Sequence, residues 1–270
     1  MKGTALRVLS GVLLGAALLG IIVLAPPQWT HVLLVVAIGV AAWEWSGFLR
    51  LTAVLPRALY VLLTLGLLGF AWRFAAQPGG LTLLLGVAAA WWVVALAWIH
   101  WAPHDVNRLR AVAAGWLTLV PAGVALLWLH DDPVRGVRWL LFTFFLVWAA
   151  DTGAYFAGRK FGRHKLAPEV SPGKTWEGAA GGLVLVALLA FVAAGTLGQP
   201  PVSFMLLCLV VAAFSIVGDL SESLFKRFAG LKDSGHLIPG HGGLLDRIDS
   251  ITAAAPLLLL GRVLLEGLPG

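Results

Sequence analysis

The residues that could perform chemistry are concentrated in the segment 219–249. Asp219, Ser223 and Lys226 stand at positions i, i+4 and i+7, so they share one face of a helix. Carboxylate oxygens are the ligands that Mg²⁺ prefers when it is shared with substrate phosphates, and glycines let backbone amides approach an anion closely. We therefore predict a site for a metal ion and a phosphate-bearing substrate. The residues of this segment that we assign to the site are Asp219, Ser223, Lys226, Arg227, Lys232, Asp233, His241, Gly242, Gly243, Asp246, Arg247 and Asp249.

A second polar segment lies earlier in the chain, between two apolar stretches. Pro172 and Gly173 predict a turn, after which a new helix opens. Because a helix start offers free amide donors to a phosphate, we expect this segment to bind substrate. Its Ser-Pro-Gly-Lys-Thr run resembles a Walker A loop, but the first glycine has the wrong spacing and no strand is predicted before it, which excludes a P-loop. The residues that we assign to substrate binding here are Asp151, Ser171, Lys174, Thr175 and Glu177.

An alternative interpretation is that these charges are solvated loops that only set membrane orientation. We favour it for the cations between Arg159 and Lys165. It fits Asp219 poorly, because Asp219 follows an apolar stretch and a central carboxylate costs about 2.5–3.5 kcal/mol on membrane insertion. His241 alone is more often structural than catalytic, so the mixture of aspartates, cations and glycines carries the prediction. For Glu44, near the end of an apolar stretch, a functional and a structural role both stay open.

The elements that must position these residues are membrane helices. Of the 270 residues, 60% are hydrophobic and 12% charged, whereas soluble domains are about 45–50% apolar. The mean hydropathy is +0.91. A helical span needs about 20 apolar residues, and the first stretch meets Pro26 and Pro27 without a clear cleavage site, so we keep it as a span. We predict an all-α polytopic membrane protein with nine spans, at 8–25, 29–49, 58–74, 81–101, 109–130, 137–158, 176–198, 202–225 and 250–268.

The basic residues predict the orientation. The net charge of +6 would suggest nucleic acid in a soluble protein, but here 15 of the 19 Lys and Arg residues fall in one set of loops, so no nucleic-acid partner is expected. Basic loops face the cytoplasm, which predicts a cytoplasmic N-terminus and, after nine spans, an outside C-terminus. We expect residues 1–136 to be a membrane scaffold with possible lipid and dimer contacts, and residues 137–270 to carry the catalytic site. Cys208, the single cysteine, can form no internal disulfide.

The later polar segment also resembles a known family signature. The chain reads Ser223-x-Phe-Lys-Arg227, then Lys232-Asp-x-Gly235, then Ile238-Pro-x-His-Gly-Gly-Leu-x-Asp-Arg-Ile-Asp249. In these motifs, and in the earlier polar segment, the sequence resembles the phosphatidate cytidylyltransferases, also called CDP-diacylglycerol synthases. The resemblance is specific over residues 146–250, and elsewhere it rests on hydropathy and the number of spans.

The resemblance implies an enzyme of phospholipid biosynthesis in the inner (plasma) membrane, a homodimer, with its site facing the cytoplasm. It would transfer CMP from CTP to phosphatidic acid, giving CDP-diacylglycerol and pyrophosphate. Mg²⁺ would be held by Asp219 and Asp246, in some relatives paired with a monovalent cation such as K⁺. Asp249 would be a further ligand or orient Arg247, and Asp233 and His241 would belong to the site without an assigned role. The cations expected to neutralise phosphate are Lys226, Arg227, Lys232 and Arg247.

Two rival functions are compatible with parts of this pattern. A CTP-dependent lipid-alcohol kinase would also need a cytidine nucleotide, a metal ion and a membrane site, but it would transfer the γ-phosphoryl group. A secondary transporter would use intramembrane carboxylates to relay ions. The acidic residues cluster at one predicted face and no inverted repeat is visible, which disfavours the transporter.

Overall fold

The computed structural model describes residues 15–237 and 242–267, and within them the chain is predominantly helical. The predicted all-α polytopic fold is confirmed. Eight of the described helices are long and apolar enough to cross a membrane. The helices are α1 (Gly15–Leu24), α2 (Pro27–Phe48), α3 (Val54–Ala75), α4 (Gly80–Trp101), α5 (Arg108–His130), α6 (Gly136–Phe161), α7 (Trp176–Leu197), α8 (Pro201–Ala229) and α9 (Leu245–Gly267).

The predicted boundaries agree with these helices to within a few residues, with two exceptions. The predicted span 8–25 begins outside the described residues, which show a helix only over Gly15–Leu24. The last helix begins at Leu245 rather than at residue 250. Charged residues are expected before a span and not inside it, which is why the sequence placed this start too late. The consequence is that Asp246 and Asp249 lie within the first turns of α9.

The predicted turn at Pro172 and Gly173 is wrong, because both residues lie within a strand. Strand β1 (Lys165–Ala167) pairs antiparallel with β2 (Ser171–Thr175). Proline is tolerated in a two-stranded ribbon, since each strand has an open edge that needs no N–H donor. The hairpin leads directly into α7, whose first turn is capped by Thr175: its hydroxyl accepts a hydrogen bond from the Gly178 amide at 3.1 Å.

Helix α5 is the most buried of the eight candidate spans and forms the centre of the bundle. Helix α9 packs against α5 and α8, and α7 packs between α6 and α8. Helices α3, α4 and α7 instead expose many large apolar side chains, among them Leu62, Phe70, Val93 and Leu188. Such faces are ordinary where a helix contacts lipid. The arrangement brings the ends of α6, α8 and α9 together with the hairpin, where the polar residues lie.

Candidate active site

A cavity of about 510 Å³ opens where α6, β2, α7 and α8 meet. Lys174 and Thr175 enter it from the hairpin, and Asp219 enters it from α8. Helix α6 contributes carboxylate, phenol and guanidinium groups. The polar residues that line the cavity are Asp151, Tyr155, Arg159, Lys174, Thr175 and Asp219. The structure thus joins the two polar segments, although 68 positions separate Asp151 from Asp219 in the sequence.

The central contact of this cavity is an ion pair between Lys174 and Asp219. Nζ of Lys174 lies 2.8 Å from Oδ2 of Asp219, and the two side chains keep 24% and 31% of their surface exposed. Lys174 also donates to the Ile216 carbonyl oxygen at 3.4 Å, and the Ser223 hydroxyl donates to Oδ1 of Asp219 at 3.4 Å. Asp151 lies within electrostatic range of Lys174 and Asp219. The lysine is therefore held close to carboxylates while it stays accessible to a ligand.

A second, more buried ion pair group surrounds Lys226. Its ammonium lies 2.9 Å from Oε2 of Glu222 and 2.8 Å from Oδ1 of Asp246. The Glu222 side chain is only 2% exposed and that of Asp246 8%. Removing one partner of a buried ion pair leaves an uncompensated charge, which is strongly destabilising. Lys226 therefore joins α8 to α9 in addition to any role toward substrate.

Asp246 also organises the loop before α9 through its second oxygen. Oδ2 accepts hydrogen bonds from the Ser234 amide at 3.0 Å and from the Gly243 amide at 2.8 Å. Gly242 has a φ of +84°, and a Cβ there would stand 2.6 Å from Oδ2 of Asp246. The Gly243 amide thus donates its hydrogen bond to Asp246, whereas the sequence analysis predicted that it would bind a substrate anion.

Glu44 closes the same loop from a distant part of the chain. Its carboxylate is 4% exposed. It accepts hydrogen bonds from the Ser234 hydroxyl at 3.0 Å, from the Leu244 amide at 3.0 Å and from the Leu245 amide at 2.7 Å. Two of these donors are free amides at the start of α9, so Glu44 caps that helix from α2. The sequence left both a functional and a structural role open for Glu44, and the structure shows a structural one. Glu44 fixes the loop that also contacts Asp246.

The charges of the cluster do not balance among themselves. Asp249 lies within electrostatic range of Asp219 and Glu222, and Arg247 faces Asp151. Together with the two ion pair groups and the cavity-lining Arg159, this makes five carboxyl groups and four cations. The carboxyl groups are those of Asp151, Asp219, Glu222, Asp246 and Asp249, and the cations are Arg159, Lys174, Lys226 and Arg247. An excess of hard oxygen donors suits a divalent cation such as Mg²⁺.

The remaining predicted site residues that the structure describes do not line the cavity. Ser171 begins β2 and does not line the cavity. Glu177 accepts hydrogen bonds from the Arg163 and His164 amides, and its Oε1 lies 2.6 Å from Nδ1 of His164, so it holds the connection between α6 and β1. His241 lies outside the described residues. Three further residues are exposed, namely Arg227, Lys232 and Asp233.

The chain is similar to known proteins over most of its length. Residues 5–264 match the model of the Cytidylyltransferase family. This chain belongs to that family. A phosphatidate cytidylyltransferase of Haemophilus influenzae is 43% identical over 93% of this chain and 95% of its own length. A phosphatidate cytidylyltransferase of Pseudomonas aeruginosa is 40% identical over 81% of this chain and 82% of its own length.

Within this cytidylyltransferase family member, the sequence interpretation missed Glu222 and left Glu44 undecided. Glu222 stands three residues after Asp219 and four before Lys226, so its position on their helix face was readable from the sequence. Its contact with Lys226 follows from that spacing. Glu44 offered no such signal, because its donors lie about 200 residues later in the chain.

Proposed function

We propose that this chain is a phosphatidate cytidylyltransferase, which transfers CMP from CTP to phosphatidic acid and releases pyrophosphate. The observation that supports this most directly is the accessible Lys174–Asp219 pair in a cavity at the end of a membrane-spanning bundle. A water-soluble nucleotide and a membrane lipid can meet only at such a border. Membership of the Cytidylyltransferase family supports the same activity.

The chemistry requires the approach of several negative charges. A phosphate oxygen of phosphatidic acid attacks the α-phosphorus of CTP, a new P–O bond forms, and the bond to the β-phosphate breaks as pyrophosphate leaves. Because the nucleophile is already an anion, no strong general base is needed. The protein must instead hold phosphates together and stabilise the charge that develops on the α-phosphoryl group and on pyrophosphate.

The cations of the cluster are suited to this work in different ways. Lys174 is exposed enough to exchange its aspartate partner for a phosphate oxygen of the substrate. Arg247 is exposed at the start of α9 and can contact a second phosphate group. Lys226 is 14% exposed and holds Glu222 and Asp246, so its main effect is to fix the position of Asp246. Phosphate binding thus depends most on Lys174 and Arg247.

We also propose that Asp219 and Asp246 hold Mg²⁺, with Asp249 close enough to assist. The excess of carboxylates over cations supports this assignment. A bound Mg²⁺ would supply positive charge to the phosphates of CTP. Accordingly, chelation with EDTA should abolish turnover, and added Mg²⁺ should restore it. Full turnover in EDTA would contradict the metal requirement. Repeating the Mg²⁺ restoration with and without K⁺ tests the monovalent cation.

The orientation and assembly of the protein belong to the same proposal. We place the chain in the inner membrane as a homodimer, with the cavity facing the cytoplasm, where CTP is present. The basic loops on the side of the cavity support this orientation. Counting subunits by photobleaching in nanodiscs tests the assembly, and a population of single subunits would contradict it.

The experiment that tests the activity uses CTP labelled either at the α-phosphate or at the γ-phosphate, together with phosphatidic acid. Label from the α-phosphate should enter the lipid, and label from the γ-phosphate should be released in pyrophosphate. Transfer of the γ-label to lipid, with the α-label left in CDP, would identify a lipid kinase and overturn the proposal.

A further inference from the structure

A second group of metal-ligating side chains lies far from the candidate active site. It consists of His31, near the start of α2, and His130 and Asp131, at the end of α5. His31 precedes Glu44 by 13 residues on the same helix, which corresponds to roughly 20 Å at 1.5 Å per residue. The group therefore lies at the opposite end of the bundle from the carboxylate cluster, and it plays no part in the proposed transfer.

The ligand atoms of this group already converge. One atom from each of the three side chains lies within 4.8 Å of the other two. The imidazole rings of His31 and His130 are 5.2 Å apart in an edge-to-face arrangement. Donors around a tetrahedral Zn²⁺ with bonds of about 2.0–2.1 Å stand roughly 3.4 Å apart. Small side-chain rotations would therefore close the group around one ion.

The hydrogen bonding of the group leaves ligand atoms free for an ion. His130 is only 7% exposed. Its Nδ1 atom is buried without a hydrogen-bond partner in the described part of the chain. Nε2 of His31 lies 2.7 Å from Oδ1 of Asp131, but the direction of this contact is not that of an N–H hydrogen bond. A buried polar nitrogen without a partner is costly, and a metal ion would satisfy it.

The charges around the group also favour a cation. Asp131 is the C-cap of α5, where the helix dipole is negative, so a carboxylate is unfavourable there. The guanidinium of Arg262 is engaged by the neighbouring Asp132. The side chains of His31 and Asp131 remain 34% and 38% exposed, although Nε2 of His31 is itself buried, so the group lies at the edge of the protein and not in its core.

We propose that His31, His130 and Asp131 bind a divalent transition-metal ion, with Zn²⁺ the best match. Two imidazoles and one carboxylate form a three-ligand set that leaves one position for water. Imidazole nitrogen also selects zinc over magnesium, which prefers oxygen ligands. The bound ion would join the start of α2 to the end of α5 at the face opposite the cavity.

The test measures zinc bound by the purified full-length protein, prepared with a tag that contains no histidine. Binding of ⁶⁵Zn²⁺ is measured in excess Mg²⁺, so that the carboxylate cluster does not contribute. The unmodified chain should retain one zinc ion per chain. His31→Gln, His130→Gln and Asp131→Asn should each weaken zinc binding at least about tenfold. The matched control is His104→Gln, which removes an exposed histidine of another loop and should leave zinc binding unchanged.

Substitution with Co²⁺ provides a second readout, because tetrahedral cobalt bound to nitrogen gives visible absorption bands that are far more intense than the weak bands of octahedral oxygen sites. The bands should appear with the unmodified protein and with His104→Gln, and they should be absent from His31→Gln. His31 is partly exposed, so this variant keeps the test valid if His130→Gln fails to fold. Absence of zinc retention by the unmodified chain, or retention equal to it in His31→Gln, would overturn the proposal. Neither result would affect the test of cytidylyl transfer.

Discussion

Lys174, which lines the candidate active-site cavity, and Glu44, which binds the loop before α9, illustrate two uses of a charged side chain. Lys174 is partly exposed and makes one ion pair that a phosphate can replace. Glu44 is buried and accepts three hydrogen bonds from a loop that it fixes. A surface ion pair contributes at most about 1 kcal/mol to stability. Replacing a buried acceptor instead leaves its donors without hydrogen bonds, which lowers stability. Substitution should therefore affect activity at the first position and stability at the second.

Lys174→Ala should lower kcat/KM for CTP at least about tenfold, because a phosphate loses its charged contact, a loss of roughly 1.4 kcal/mol. The thermal unfolding temperature should change little. Steady-state kinetics at limiting CTP measure the effect. Lys165→Ala is the matched control, since Lys165 is exposed on the neighbouring strand and does not line the cavity. Equal kcat/KM in the two variants would show that Lys174 does not bind substrate.

Glu44→Gln should lower the free energy of unfolding by about 2 kcal/mol, because the amide keeps one acceptor oxygen where the carboxylate had two and leaves buried donors unpaired. Tryptophan fluorescence during thermal unfolding in detergent measures the change. Glu169→Gln removes a charge from an exposed pair with His104 and is the control. If both variants unfold at the same temperature, Glu44 does not hold the start of α9.

At the scale of elements, glycines bring α6 and α7 into backbone contact beside Asp151. A Cβ at Gly153 would lie 2.5 Å from the Gly181 carbonyl oxygen, and a Cβ at Gly182 would lie 2.6 Å from that of Ala150. Real side chains cannot be accommodated at such distances without a shift of the helices. Small residues that permit close approach are common between membrane helices. This contact fixes the wall of the cavity that carries Asp151.

Gly182→Ala should separate α6 from α7, lower the unfolding temperature and reduce cytidylyl transfer, at a cost of roughly 1–3 kcal/mol for overpacking. Gly195→Ala is the matched control on the same helix, because a Cβ there meets nothing within 4 Å. Alanine also favours a helix more than glycine does, so the control should be as stable as the unmodified protein or slightly more stable. Equal stability of the two variants would show that the glycine contact is unimportant.

The elements were largely predictable because hydropathy alone identifies spans and charges mark their ends. The start of α9 was missed since Asp246 and Asp249 resemble a loop until their partners are known. The strand at Pro172 was missed because its partner β1 is only three residues long. The ion pair between Lys174 and Asp219 could not be predicted either, since it depends on how α7 and α8 pack. Contacts between residues of one helix could be predicted from their spacing in the sequence, whereas contacts between distant elements could not.

At the scale of the whole molecule, the distribution of basic residues predicts which face is cytoplasmic. In a Cys208→Ser background, cysteines at positions 165 and 134 occupy exposed sites on connections at opposite ends of α6. A membrane-impermeant thiol reagent applied to intact cells should label the cysteine at 134 and not the one at 165. The reverse labelling would place the cavity on the side that lacks CTP and contradict the orientation.

The most direct test of the account is transfer of α-labelled phosphate from CTP to phosphatidic acid by purified Asp219→Asn protein. Asparagine keeps the shape but removes the negative charge that pairs with Lys174 and that we assign to Mg²⁺. Transfer should fall at least about 10²-fold, roughly 2.7 kcal/mol of transition-state stabilisation, with the unfolding temperature nearly unchanged. Asp105→Asn, in an exposed loop before α5, is the control and should transfer label normally. Label entering lipid at the unmodified rate from Asp219→Asn would contradict the assignment of this cavity as the active site.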